Sequence, residues 1–154
     1  MASGITNKGK YKFIGWAVRG ETPPTNLYIG LVTSAVVPDA DTNTLSQLTE
    51  IANGNGYTTG GYSMNRNSTD WPDWTETDAS DLASLVAKDI VWTASGGAIP
   101  ASGGGARYAV LLDDNVTVGS REVYAWWDLV SDRTVSDGQT LTLADCTLRF
   151  DAPA

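Results

Sequence analysis

Apolar side chains recur along this chain with two different periods. Tyr11, Ile14 and Val18 fall at i, i+3 and i+7, the spacing of one face of a helix. Thr6 or Asn7 can cap the start of that helix, and Gly20 can end it. A short N-terminal helix within residues 1–20 is the reading, although a period of two competes over the same stretch. Pro23 and Pro24 stop any helix before residues 27–33 (LYIGLVT), a β-rich run with Gly30 inside it.

Beyond residue 33 the pattern is one of short strands between turn-rich segments. Residues 60–65 (GGYSMN) follow a Gly54-Asn55-Gly56 turn, and residues 85–93 (LVAKDIVWT) place Val86, Ile90 and Trp92 on one face. After a glycine-rich loop at residues 95–105, Tyr108, Val110 and Leu112 alternate with Ala109 and Leu111. Val123, Ala125, Trp127 and Leu129 then alternate with Tyr124, Trp126 and Asp128, which describes a strand with large side chains on both faces. Residues 140–143 and 147–150 read as a closing hairpin joined through Ala144, Asp145 and Cys146. Runs spaced by about ten residues, with Gly, Asn and Asp between them, predict a mainly β fold. The expectation is a single β-sandwich or jelly-roll-like domain over residues 21–154, preceded by a basic, helical segment at 1–20.

Composition narrows the chemistry. With 154 residues and 42% apolar content the chain suffices for one core. It has no His, so every Ser–His or Cys–His nucleophile pair and every His-ligated metal site is excluded. Its single Cys146 forms no internal disulfide. The net charge of −8 argues against nucleic acid as a partner, and no segment suits a membrane anchor. The charge is unevenly placed: residues 1–20 hold Lys8, Lys10, Lys12 and Arg19 and no acid.

Several constellations invite a functional reading. Asp39, Asp41, Asn43 and Glu50 match calcium-loop positions 1, 3, 5 and 12, but Thr44 stands where the loop needs Gly, so a polar turn is expected, with Asp41 or Thr42 capping a helical turn through Leu45 and Leu48. Asp70, Asp73, Glu76, Asp78 and Asp81 gather beside Trp71 and Trp74, which reads as a solvated loop with the two rings docked beneath it. As a site, this loop would stack sugars or meet another subunit; a glycosidase using Asp73 and Glu76 is the remote alternative. The glycine clusters miss the phosphate-binding spacings and read as loops, with residues 96–105 able to become ordered on a partner. Asn67 and Asn115 open Asn-x-Ser/Thr triplets that are expected by chance in a Thr-rich chain. The adjacent Trp126 and Trp127 must point to opposite sides of their strand, so one of them needs a cover.

The ordered series GITNKG at 4–9, PTNLYIGLVT at 24–33, TEI at 49–51, GGY at 60–62, ARYAVLLD at 106–113, EVYAWWDL at 122–129 and RTVSDGQTLTL at 133–143 resembles a family of small bacteriophage virion proteins, described as head decoration or tail-fibre-like proteins. The resemblance spans nearly the whole chain. It implies a non-enzymatic β-sandwich component of the virion, assembled in the host cytoplasm, that binds the major capsid protein and stabilises its lattice without a cofactor. It also implies a homo-oligomer; a sandwich with exposed Trp is expected to be dimeric or trimeric, and a trimer suits the threefold positions of an icosahedral shell. The alternative within this class is a receptor-binding module in which Trp71 and Trp74 stack on host glycans. The candidate interface residues are Lys8, Lys10, Lys12, Trp16, Arg19, Trp71, Trp74 and Trp126.

Overall fold

The computed structural model describes residues 2–151 and is a mainly β sandwich with one short N-terminal helix. Its first layer is an antiparallel sheet of β1 (Ser3–Ile5), β8 (Val123–Arg133), β7 (Ala106–Leu112), β2 (Asn26–Val32) and β3 (Tyr62–Asn65), in that order. The second layer combines β4 (Asp73–Thr77), β5 (Leu82–Val86), β6 (Ile90–Thr93), β9 (Thr140–Leu143) and β10 (Thr147–Asp151).

The closing hairpin expected from the sequence is absent among the described residues. β9 and β10 pair with other strands, β9 with β6 and β10 with β5. The two ladders keep one register, and the Ala87 N–H donates to the Cys146 carbonyl between them. They form one long antiparallel ribbon, broken at residues 87–89 and 144–146, where Asp145 takes a left-handed conformation. The single strand read over residues 85–93 is therefore two, and the expected turn at 144–146 is a kink within a continuing chain.

Alternation along the strands builds two cores. Leu27, Ile29 and Leu31 of β2, Ala109 and Leu111 of β7, and Ala125 and Trp127 of β8 face Ile90, Trp92, Leu141, Leu143 and Leu148 of the second layer. On the other face Val32, Tyr108, Val110, Leu112 and Val123 pack under Leu45 and Leu48 of the 33–60 connection. Tyr57 pins this connection to the sheet: its hydroxyl accepts the Leu31 N–H at 2.9 Å and donates to Glu50 Oε1 at 2.7 Å. Arg121, also buried, lies with its guanidinium 3.7 Å from the Tyr28 ring centroid and donates to the Gly60 carbonyl at 2.8 Å. β7 is covered on both faces, as its apolar alternation requires.

The strict alternation expected along 123–129 breaks at its start. β8 carries a β-bulge opposite Leu111 and Leu112, with Tyr124 as the extra residue. The bulge puts Val123 on the same face as Trp126 and turns Tyr124 into the sandwich core. Trp127 points inward and donates from Nε1 to the Thr147 carbonyl at 2.9 Å. Trp126 is covered by ordinary means, half-buried against Tyr108 and beside Gly4 of β1. The loop at 95–105 is already ordered by the chain itself. Ile99 is buried, and its N–H and carbonyl both pair with Val135.

Candidate functional site

The site lies where the helix meets the free end of the second layer. The helix α1 (Asn7–Ile14) is capped by Thr6, whose hydroxyl accepts the Gly9 N–H at 2.9 Å and donates to the Val123 carbonyl at 2.6 Å. The Thr6 N–H also donates to the Tyr124 carbonyl at 3.0 Å. Gly9 is required here, because a Cβ would stand 2.1 Å from that carbonyl oxygen. A wide π turn over Gly15–Arg19 continues the helix until left-handed Gly20 ends it.

The helix faces the body with Gly9, Phe13 and Trp16. Phe13 and Trp16 pack edge-on at 5.4 Å, and both rings meet Tyr124, at 6.0 and 5.4 Å. The stripe by which the sequence shows the helix is its outer face: Tyr11, Ile14 and Val18 are 62%, 61% and 79% exposed. The physical reason is the docking surface itself, a backbone bulge that admits only glycine and leaves the aromatic pair to fill the gap beside it.

Across from the helix, β4, β5 and β10 project as a three-stranded flap. Register places Trp74, Leu85 and Leu148 in one cross-strand row and Glu76, Ala83 and Phe150 in the next. Leu148 reaches the core, whereas Phe150 is half-exposed and packs edge-on against Phe13 at 5.8 Å. Trp74 is 83% exposed. The acidic stretch expected as a solvated loop is thus the outer strand of a hairpin, and every residue of β4 is exposed. Between helix and flap opens a cleft of about 600 Å³ lined by Phe13, Trp16, Trp71, Trp74 and Leu85, with Arg66 and Asn67 on its wall. Beyond Phe150 lies an open hollow of about 640 Å³ lined by Trp74, Glu76, Asp78, Asp81 and Leu82.

The root of the flap is held by a buried carboxylate. Asp70 accepts from the Asn65 N–H at 2.6 Å, from Asn65 Nδ2 at 3.0 Å, and from the Lys88 ammonium. The Lys88 ammonium and these donors hold the Asp70 carboxyl below its ordinary value of 3.8. This anchor seats Trp71, which is buried in the wall of the cleft.

The structure divides the residues singled out from sequence. Lys8 and Lys12 both reach Glu122, at 3.4 and 3.6 Å, so one carboxylate offsets half of their charge within the chain. Lys10 and Arg19 stay exposed. Trp16 lines the cleft half-buried, Trp74 stands at its mouth, and Trp71 and Trp126 are packed among other side chains. Asp73 and Glu76 occupy odd and even positions of β4 and point to opposite faces, which separates the two carboxyls a glycosidase would pair. Asp39 sits in a polar turn, accepting from the Asp41 N–H at 2.9 Å and from the Thr42 hydroxyl at 3.1 Å. The helical turn that follows is capped by Thr44 with Gln47, and not by Asp41 or Thr42. Among the described residues no His, Cys, Asp or Glu cluster could hold a metal ion, and no helix is long and apolar enough to cross a membrane.

Phe13, Phe150 and the outer stripe of α1 escape sequence reasoning as site residues. Phe150 carries a usable signal, since it continues the alternation of Leu148 past the end of the core.

No family model matches the chain, nor does any curated protein or solved structure.

Proposed function

We propose that the protein is a bacteriophage virion structural protein, a decoration protein that binds the outer shell and stabilises the lattice of the major capsid protein. The observation that carries this reading is the placement of uncovered apolar side chains at both ends of β8. At its start lie α1 and the flap, with Tyr11, Ile14, Val18 and Trp74 exposed. At its far end Val130 is exposed, and the loop bearing exposed Val36 and Val37 is tied to that end by the Ser34 hydroxyl and Asp132, 3.4 Å apart. The six residue steps from Tyr124 to Val130 span about 20 Å of strand. A chain that buries its core so completely and still gathers apolar groups at two separated places, beside the isolated Val91 and Val116, suits a clamp touching two neighbours at once. Binding the assembled shell, and not its separated subunits, shifts the equilibrium toward the intact particle by mass action.

The shell contact falls to the Val36, Val37 and Val130 end. Co-sedimentation with purified shells tests this: wild-type protein saturates at a fixed number of copies per particle, and the Val37→Asp/Val130→Asp double variant fails to bind while remaining folded. Shells that recruit no wild-type protein would overturn the reading.

Exposed Trp74 beside Arg66 and Asn67 supports a second reading, a receptor module that stacks one sugar ring on this side chain. A glycan array probed with wild type and Trp74→Ala decides it, since signal lost in the variant is required.

A further inference from the structure

The exposed face of α1 and the hollow of the flap differ in sign and share an apolar character. Of the four cations in residues 8–19, Lys8 and Lys12 pair with Glu122, while Lys10 and Arg19 remain exposed beside the Tyr11, Ile14 and Val18 stripe. Residues 70–86 hold five acids and no cation, and three of those acids, Glu76, Asp78 and Asp81, line the hollow together with Trp74 and Leu82. One side chain joins the two regions: Phe150 forms part of the hollow, lines a neighbouring groove together with Lys10 of the ridge, and packs on Phe13 at the inner face of α1. A basic apolar ridge and an acidic apolar hollow therefore lie side by side on one continuous surface.

That arrangement is self-complementary. A twofold axis brings the same patch of both subunits together, so that every contact is made twice. Rotation about an axis near Phe150 sets the ridge of each copy on the hollow of the other. We infer that the protein forms an isologous dimer in which α1 of each subunit seats in the flap hollow of its partner. Lys10 and Arg19 then face Glu76, Asp78 and Asp81 across the seam, while the apolar stripe covers Trp74.

A second copy is the occupant because the matching surface, opposite in charge and equally apolar, is present on this chain. A sugar stacked on Trp74 would leave the Tyr11, Ile14 and Val18 stripe uncovered. The inference does not rest on the decoration reading, since it concerns the isolated protein, and its test contains no shells.

Sedimentation equilibrium over roughly two decades of concentration gives the mass. The expected result is twice the 16.3 kDa of one chain. Val18→Asp, Trp74→Ala, and the charge pairs Lys10→Glu/Arg19→Glu and Asp78→Lys/Asp81→Lys each weaken association by roughly tenfold or more. All of these positions are exposed, and circular dichroism confirms that each variant is folded. The decisive arm mixes the two charge-pair variants: the heterodimer places each reversed set against the other at one of its two seams, and the quadruple variant does so at both. Restored dimerisation in the quadruple variant supports the inference. A monomeric or trimeric wild type, a dimer indifferent to both surfaces, or a quadruple variant no tighter than its parents would overturn it.

Discussion

β7 and β4 are both regular antiparallel strands, yet six of the seven residues of β7 are buried and none of the five in β4 is. β7 lies in the middle of the five-stranded sheet, with a partner on each side and a core on each face. β4 has a single partner, β5, and no layer over its Trp74 face beyond the reach of Phe13 and Trp16. Burial tells the two apart where strand geometry does not. The interior strand stabilises the fold, and the outer hairpin holds apolar surface that contributes little to stability until something covers it.

Truncating the interior should have the largest effect. Leu111→Ala, at a side chain with no solvent exposure, is expected to cost about 3–4 kcal/mol in chemical denaturation. The Cys146 thiol provides a second readout. Burial and the nearby Asp145 and Asp89 carboxylates push it up to about 12, so at neutral pH it is labelled only through opening, and Leu111→Ala should speed that labelling. Next comes the joint between helix and sheet, where Gly9→Ala drives a methyl into the Tyr124 carbonyl. A loss of about 2 kcal/mol is expected, with α1 displaced and Trp16 fluorescence altered.

The hairpin root responds to pH with a definite sign. The folded Asp70 carboxyl titrates below its ordinary value of 3.8, so its contribution is complete above that value and is lost as the pH falls further. Lys88 is raised above 10.5 by the same carboxylate, so its share is lost only as the pH climbs past that value. Urea titrations should show this contribution flat between the two values, and Asp70→Asn should remove its part of the acid decline. The smallest effect belongs to Trp74→Ala. Folding stability measured at dilution should change by no more than about 0.5 kcal/mol, with Cys146 labelling unaltered, because the ring touches little within its own chain. A larger loss would mean that β4 belongs with β7 after all.

Much of β7 was legible in advance. Tyr108, Val110 and Leu112 against Ala109 and Leu111 is an alternation with apolar groups on both sides, and both sides prove to be covered. The helix ends were legible as Thr6 or Asn7 and Gly20, since capping and left-handed turns are local chemistry, and the fold selects Thr6 of the first two. Trp71 and Trp74 were not separable. They sit three residues apart in one acidic stretch, and only the Asp70–Lys88 anchor, which joins residues far apart in sequence, draws the first ring in and leaves the second out. Lys8 and Lys12 look free in the sequence and are held by Glu122 in the fold.

By itself the order of residues determined a His-free, mainly β chain with a capped N-terminal helix, because those properties follow from composition, period and neighbouring backbone geometry. Tertiary structure alone decided that 140–143 and 147–150 pair with 90–93 and 82–86 and not with each other. It also decided that a bulge at Tyr124 selects Gly9 for the buried side of α1, and that the apolar stripe of the helix faces out. Each of these depends on which distant surface a segment meets, and a period records only that a face exists, never what lies against it.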